Sequence, residues 1–159
     1  MYWSSLIYSI FTIALIVASI IDLKSRIIPD EISLGGLVVA LTLSAVFPQL
    51  HKASLWWQGL GLSVLGMVVG GGFLWFSGWI FEKILKKEAM GGGDIKLLAM
   101  IGALLGWEGA VYSVAISSVS GSVAGLWLRF AKGEAYFPYG PHLALGAIVY
   151  AWAKFFKFF

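Results

Sequence analysis

The sequence predicts an all-α, polytopic integral membrane protein. Of its 159 residues, 60% are hydrophobic and only 12% are charged, whereas an ordinary soluble domain has about 45–50% apolar and about 25% charged residues. The mean hydropathy of +0.89 over the whole length leaves no segment for a water-facing domain. We therefore interpret residues 1–159 as a single membrane-embedded domain.

Charged residues and glycines divide the chain into six candidate transmembrane helices, since one crossing needs about 20 apolar residues. The first apolar run has no basic residue before it and is therefore a spanning helix, not a cleavable signal. The fourth is a short helix behind a glycine-rich loop. Its roughly thirteen residues, at about 1.5 Å each, cannot cross a hydrocarbon core about 30 Å thick. The six segments cover residues 3–21, 32–47, 55–81, 95–107, 109–128 and 139–156.

The basic residues predict the orientation, because cytoplasmic loops of membrane proteins carry the excess of lysine and arginine. Eight of the 11 basic residues fall on one side of the predicted bundle. That side is predicted to be cytoplasmic, and six crossings then place both termini outside. The eight are Lys24, Arg26, Lys83, Lys86, Lys87, Lys96, Arg129 and Lys132; the other three are Lys52, Lys154 and Lys157.

The composition excludes several classes of site. The chain has no cysteine, which excludes disulfides, thiolate zinc sites, iron–sulfur clusters and a cysteine nucleophile. The net charge of +3 is too small to indicate nucleic-acid binding. His51 and His142 are the two histidines, and the predicted topology separates them. We therefore expect no catalytic metal and no cofactor.

The three aspartates all fall on the predicted cytoplasmic side: Asp22, Asp30 and Asp94. An acid at membrane depth is costly and therefore indicates function. Each also has a structural interpretation: Asp22 as a polar stop at the headgroups, Asp30 as a cap of the second helix, and Asp94 as a cap of the fourth. Three glycines precede Asp94, more than a helix start requires, and they would allow another chain to approach closely.

If Asp22 and Asp94 meet in the fold, they form a pair of carboxylates that shares one proton. The ionised member then draws a proton from water, and the protonated member polarises a scissile carbonyl group. This is the chemistry of an aspartyl protease, which requires partial burial of the pair together with access to water.

Three ordered segments resemble the type IV prepilin peptidase family, intramembrane aspartyl proteases of the GxGD kind. In that family an aspartate is followed by five residues and then Ile-Pro, and a second aspartate ends the GxGD motif. Here Asp22 precedes Ile28 and Pro29 at that spacing, and Asp94 follows Gly91, Gly92 and Gly93. The segments are IDLKSRIIPD (residues 21–30), MGGGDIKLLAMIGALLGW (90–107) and FPYGPHLALGA (137–147).

The resemblance implies an aspartic endopeptidase with Asp22 and Asp94 as its catalytic residues. Its substrates would be type IV prepilins or the pseudopilins of type II secretion, from which it cuts a short basic leader. The cut would occur at the cytoplasmic face of the bacterial inner membrane. The implied partners are these substrates and the lipid bilayer, with a homo-oligomer left open.

Further residues are candidates for substrate binding or for shaping the active-site loop: Gly91, Gly92, Gly93, Lys96, Pro29, Pro138, Gly140 and Pro141. Lys96 either orients the substrate or favours the charged form of a nearby acid; alternatively it reaches the headgroups. The last three match a Pro-Phe-Gly-Pro segment of the resembled family and are expected to shape the turn before the sixth helix. This chain departs from that segment with Tyr139 in place of phenylalanine and with His142 in place of a commonly aromatic residue.

Many members of the resembled family also carry an N-terminal region with a four-cysteine metal site, which is associated with methylation of the new pilin terminus. This sequence has no cysteine and no room before the first helix, so we expect no methyltransferase activity. Two other functions remain as alternatives. One is a small transporter or channel that uses intramembrane carboxylates. The other is a structural subunit of a membrane complex, in which the aspartates are caps.

Overall fold

Helices account for all regular structure in the computed structural model, which describes residues 2–86, 91–132 and 138–156. No β-strand occurs among these residues, which confirms the all-α prediction. The helices are α1 (Tyr2–Ser25), α2 (Asp30–Val46), a short 3-10 helix (Pro48–His51), α3 (Trp56–Leu85), α4 (Gly92–Lys132) and α5 (Gly140–Phe156).

Among the described residues, three helices contain stretches long and apolar enough to cross a membrane: Trp3–Ser25, Trp56–Ile84 and Gly92–Leu128. Their large apolar side chains are widely exposed, as for Ile13 and Val68. In water so much exposed apolar surface would be unfavourable, whereas in lipid it is the expected state. The helices α2 and α5 have 17 residues each, which at about 1.5 Å per residue span about 26 Å.

The predicted count of six helices is not confirmed, because the fourth and fifth predicted segments both lie in one helix, α4. The chain nevertheless reverses inside α4. Gly106 has φ 85° and ψ 174°, a backbone conformation that glycine adopts without strain. A Cβ atom added at Gly102 would lie 3.4 Å from the Cβ atom of Ala110, although eight residues of straight helix are about 12 Å long. We call residues 92–105 the first arm of α4 and residues 107–132 its second arm.

The described residues belong to two compact units, one of Met1–Ile27 with Tyr112–Phe159 and one of Ile28–Val111. The single membrane-embedded domain therefore stays a prediction.

In the unit Ile28–Val111, α3 packs backbone to backbone against the first arm of α4. A Cβ atom at Gly66 would collide with the carbonyl oxygen of Gly102, and one at Gly70 would lie 2.6 Å from the carbonyl oxygen of Leu98. Only glycine permits so close an approach, as in other small-residue helix contacts in membranes.

Polar side chains tie together the end of this unit that contains the reversal. The buried hydroxyl of Ser63 donates a hydrogen bond to the carbonyl oxygen of Ala103 at 2.6 Å. The hydroxyl of Ser44 lies 2.9 Å from Nε2 of His51. Because a helix end leaves carbonyl groups without intrahelical partners, Ser63 satisfies one that the break at Gly106 leaves near the end of the first arm.

In the other unit, α1 runs antiparallel to α5. The indole N–H of Trp152 donates to the hydroxyl of Thr12 at 3.2 Å, and the backbone N–H of Gly140 donates to the carboxylate of Asp22. These contacts pair the middle of α1 with the end of α5, and the end of α1 with the start of α5. The C-terminal end of α1 and the N-terminal end of α5 therefore lie together.

Candidate active site

Asp22 lies one turn before the end of α1, in a largely apolar helix whose other charged residue is Lys24. Only 6% of its surface is exposed. The backbone N–H of Gly140 donates to its carboxylate. Its Oδ2 atom is buried and has no hydrogen-bond partner among the described residues. A polar stop at the headgroups would be solvated, so burial argues against that interpretation of Asp22.

The helix α1 ends just beyond Asp22. Arg26 has φ 59°, and its backbone N–H donates to the carbonyl oxygen of Asp22 at 2.8 Å, a common way for a helix to end. Pro29 precedes the first residue of α2 in an extended conformation, which suits a residue that cannot donate a backbone hydrogen bond. The Asp-x5-Ile-Pro pattern therefore covers the end of one helix and the start of the next.

Asp94 lies in the first turn of α4, and its backbone N–H donates to the carbonyl oxygen of Gly91 at 3.1 Å. The helix begins at Gly92, so two of the three glycines that were predicted to form a loop are helical. The interpretation of Asp94 as the cap itself is also corrected, since the residue is inside the helix. A negative charge in the first turn is favoured by the helix dipole.

The three glycines before Asp94 have different surroundings. A Cβ atom at Gly93 would lie 3.2 Å from the Cβ atom of Ile28, closer than side chains normally pack. A Cβ atom at Gly92 would have no neighbour within 4 Å among the described residues. At Gly91 it would lie 3.5 Å from Oδ2 of Asp94, an ordinary contact. The close approach predicted for this stretch is therefore found at Gly93.

Lys96 forms an ion pair with Asp30, with 2.7 Å between Nζ and Oδ1. The side chains are 39% and 57% exposed, respectively. Asp30 was expected to cap α2, but the cap position is held by Pro29, with no side-chain hydrogen bond. Asp30 is instead the first residue of the helix, and its carboxylate connects the start of α2 to the first turns of α4.

Gly140 begins α5, and Pro141 occupies its first turn, where the missing N–H of proline costs nothing. Pro138 lies just before the helix and is partly buried. This segment is predicted to shape the turn before the sixth helix. It also supplies a contact to the candidate site, because the first amide of α5 contacts the carboxylate of Asp22.

The candidate residues are divided between the two units. Asp22, Pro138, Gly140 and Pro141 belong to one; Pro29, Gly91, Gly92, Gly93, Asp94 and Lys96 belong to the other. The pairing of Asp22 with Asp94 stays a prediction. Within the described ranges, no group of three or more histidine, aspartate or glutamate side chains could hold a metal ion.

Comparison with known proteins agrees with the motifs. Residues 9–126 match the type IV leader peptidase family. The chain belongs to this family. The resemblance found in the sequence is thereby confirmed, and the transporter alternative is not favoured.

Curated relatives of this leader peptidase family member carry the name "Prepilin leader peptidase/N-methyltransferase". The one from Pectobacterium carotovorum subsp. carotovorum is 36% identical over 151 residues, which are 92% of this chain and 50% of the relative. The one from Stutzerimonas stutzeri is 36% identical over 152 residues, 92% of this chain and 49% of the relative. The chain thus spans about half the length of these relatives. No solved structure matches it.

No sequence motif includes Ser117 or Ser120, although both contact the start of α5. The hydroxyl of Ser117 lies 2.7 Å from the hydroxyl of Tyr139, and the hydroxyl of Ser120 lies 3.0 Å from Nδ1 of His142. Their spacing of three residues places them on one face of a helix. That spacing is the only signal in the sequence that could have indicated them.

Proposed function

We propose that this chain is an aspartic endopeptidase that removes the leader from type IV prepilins or pseudopilins, with Asp22 and Asp94 as its catalytic pair. The observation that carries the proposal is the state of Asp22. Its carboxylate is buried, one oxygen accepts a backbone N–H, and Oδ2 has no partner among the described residues. A buried polar atom left unpaired costs about 1–3 kcal/mol, and such groups are retained where chemistry needs them.

Two further observations support the substrate class and the reaction. The family to which the chain belongs is one of leader peptidases, and the relatives' name includes prepilin leader peptidase. The chain also matches the spacing of two aspartate motifs, with Asp22 before Ile28-Pro29 and Asp94 after Gly91 to Gly93.

The proposed reaction uses one carboxylate as base and the other as acid. The ionised carboxylate takes a proton from water, whose oxygen attacks the carbonyl carbon of the scissile peptide bond. The protonated carboxyl group donates a hydrogen bond to the carbonyl oxygen and stabilises its developing charge. The base then gives its proton to the amide nitrogen as the C–N bond breaks, which leaves a carboxylic acid and a free amine. No cofactor or metal takes part in these steps.

We further propose six membrane crossings, in which the reversal at Gly106 divides α4 into its two arms. The inner membrane of a bacterium would then hold the protein with both termini outside and with Asp22 and Asp94 at the cytoplasmic face. The excess of basic residues on that side supports this orientation. A prepilin has its cut site between a charged leader and an apolar helix. That cut site would therefore lie at the cytoplasmic face of the membrane, at the depth proposed here for Asp22 and Asp94.

We propose peptide-bond cleavage for this chain and no methyl transfer. The four-cysteine metal site that the resemblance associates with methylation has no cysteine here from which it could be built.

The deciding experiment mixes the purified chain in detergent with a prepilin that has a basic leader, and follows the product by gel electrophoresis and mass spectrometry. We expect loss of the short N-terminal leader and a product mass without an added methyl group. The same prepilin without the chain is the control. If a well-folded chain cleaves none of several prepilins and pseudopilins, the proposed function is wrong.

The contrast between Gly93 and Gly92 gives a first prediction for this assay. Gly93→Ala should lower the cleavage rate several-fold, because its Cβ atom would press on Ile28 and displace the first turn of α4, which carries Asp94. Gly92→Ala is the matched control, since its Cβ atom meets no neighbour within 4 Å among the described residues. The opposite result would be a larger loss of cleavage rate in Gly92→Ala than in Gly93→Ala, with unchanged thermal stability. It would contradict this prediction and indicate that the substrate backbone approaches the protein at Gly92.

The ion pair between Lys96 and Asp30 gives a second prediction. Because both side chains are substantially exposed, the pair contributes only about 0–1 kcal/mol to stability. We expect Lys96→Asp to lower the cleavage rate several-fold by repelling Asp30 and shifting the start of α4. The double variant Lys96→Asp, Asp30→Lys should restore most of the rate. Failure of the double variant to recover, in a folded protein, would indicate direct contact of Lys96 with substrate.

A further inference from the structure

The position of the Asp22 carboxylate depends on a backbone amide outside α1. The N–H of Gly140 donates to this carboxylate, and Gly140 is the first residue of α5. A backbone amide cannot reorient without moving its chain. Whatever fixes the start of α5 therefore also fixes one oxygen of the buried carboxylate.

Two side chains from the second arm of α4 contact the start of α5 on either side of Gly140. The hydroxyl of Tyr139 lies 2.7 Å from Oγ of Ser117, which is fully buried. Nδ1 of His142 lies 3.0 Å from Oγ of Ser120. The backbone N–H of His142 also donates to the carbonyl oxygen of Tyr139 at 3.1 Å. The amide of Gly140 is thus held between two anchored residues.

Each of the two serine hydroxyls also contacts a carbonyl oxygen of its own helix. The hydroxyl of Ser117 donates to the carbonyl oxygen of Val114, and that of Ser120 donates to the carbonyl oxygen of Ile116, each at 2.9 Å. A hydroxyl has one proton to give. When each serine gives its proton to the carbonyl oxygen of its own helix, it accepts from the start of α5, with the Tyr139 hydroxyl and the Nδ1–H tautomer of His142 as the donors.

Tyr139 and His142 are also the two positions of this segment at which the chain departs from the resembled pattern. A phenylalanine at position 139 could not donate to Ser117, and an apolar aromatic ring at position 142 could not donate to Ser120. The two departures and the two serines form matched pairs within one unit of the structure.

We propose that Ser117 and Ser120 are positioning residues that hold the Gly140 amide against the Asp22 carboxylate through Tyr139 and His142. We call these four side chains the serine brace. The inference rests on the proposed function, since it concerns how the carboxylate of a catalytic Asp22 is oriented. The brace itself does not touch the reacting atoms.

Removal of a single hydroxyl tests the brace. Ser117→Ala and Tyr139→Phe should each lower kcat about tenfold with little change in KM, because a carboxylate displaced by a fraction of an ångström loses alignment but not substrate affinity. The double variant should be no worse than either single variant, since both remove the same contact. The control is Ser122→Ala, whose exposed hydroxyl donates to the carbonyl oxygen of Ser118 in its own helix at 2.6 Å.

A spectroscopic measurement observes the amide directly. Tyr139–Gly140 is the one place in the sequence where glycine follows tyrosine. Isotope labels at the carbonyl carbon of tyrosine and the amide nitrogen of glycine therefore give a single two-residue NMR signal, that of the Gly140 amide. Asp22→Ala removes the acceptor and should shift the amide proton upfield. Ser117→Ala and Tyr139→Phe should shift it in the same direction, and Ser122→Ala should leave it in place.

The outcomes separate the brace from the proposed function. If Asp22→Ala moves the signal while Ser117→Ala and Tyr139→Phe do not, the brace is overturned. It is also overturned if those two variants lower only the melting temperature and leave kcat unchanged. If the chain cleaves no prepilin, the proposed function fails instead, and the NMR shifts still decide whether the serines hold the Gly140 amide. Should Ser117→Ala not fold, Tyr139→Phe carries the test alone.

Discussion

Asp22→Asn and Asp94→Asn should each reduce leader cleavage by at least about a hundredfold while the protein stays folded. Asparagine has nearly the same shape as aspartate, but it neither takes a proton from water nor gives one to the leaving amine. Loss of a general acid or base typically costs about 10²- to 10⁴-fold in rate. Initial rates of cleavage and the thermal unfolding of both variants in detergent provide the measurement.

The two variants together should be no worse than either one alone, because a carboxylate pair acts as a unit and the loss of one member already stops proton transfer. Glu31→Gln is the matched control. It also neutralises an acid near the start of α2, but Glu31 is exposed and outside the proposed pair. Full activity of Asp22→Asn would refute the proposed pair, and Asp30 would become the next candidate.

Much of the fold could be predicted because the length of an apolar run limits where a helix begins and ends. The run predicted at residues 32–47 is α2 (Asp30–Val46), and the run predicted at 139–156 is α5 (Gly140–Phe156). The predicted segments 95–107 and 109–128 place the break between the fourth and fifth helices at residue 108. The structure has it at Gly106, because the turn needs a positive φ that glycine adopts without strain.

The glycines before Asp94 show where local propensity misleads. Glycine is unfavourable inside a helix by about 1 kcal/mol relative to alanine, so three in a row predict a loop. Gly92 and Gly93 are nevertheless helical. At Gly93, close packing against Ile28 explains why a side chain is absent. Such a contact joins residues distant in the sequence, and composition alone does not indicate it.

In the candidate site, too, residue patterns predict some features and tertiary contacts decide others. The motifs made Asp22 and Asp94 candidates, because acids at membrane depth are costly and therefore uncommon. The partner of Asp30 was not predictable in the same way, since Lys96 lies 66 residues away along the chain. The contact of Gly140 with Asp22 is likewise a tertiary one, and it uses a backbone amide that every residue except proline possesses. Residue identity therefore indicated the candidate groups but not the contacts that hold them.

The largest effect on stability is expected at Gly66, where α3 approaches the first arm of α4. A Cβ atom there would overlap the carbonyl oxygen of Gly102 and lie 2.9 Å from the carbonyl carbon of Gly106. Backbone atoms cannot move aside as a flexible side chain can, so the two helices must separate. We expect Gly66→Ala to lower the free energy of unfolding by about 1–3 kcal/mol, the usual cost of overpacking. Thermal unfolding in detergent would measure this loss.

Two glycines of the same helix are matched controls, because a Cβ atom at Gly61 or Gly72 would have no neighbour within 4 Å in the described part of the chain. There alanine should be neutral or should stabilise the helix by up to about 1 kcal/mol, since glycine is the poorer helix former. Replacing glycine by alanine in this one helix is thus expected to lower the free energy of unfolding at Gly66 and to leave it unchanged or raise it at the two control positions. The first arm of α4 also carries Asp94, so Gly66→Ala should slow cleavage while the controls do not. Equal unfolding temperatures for all three variants would mean that the close contact between Gly66 and Gly102 does not support the fold.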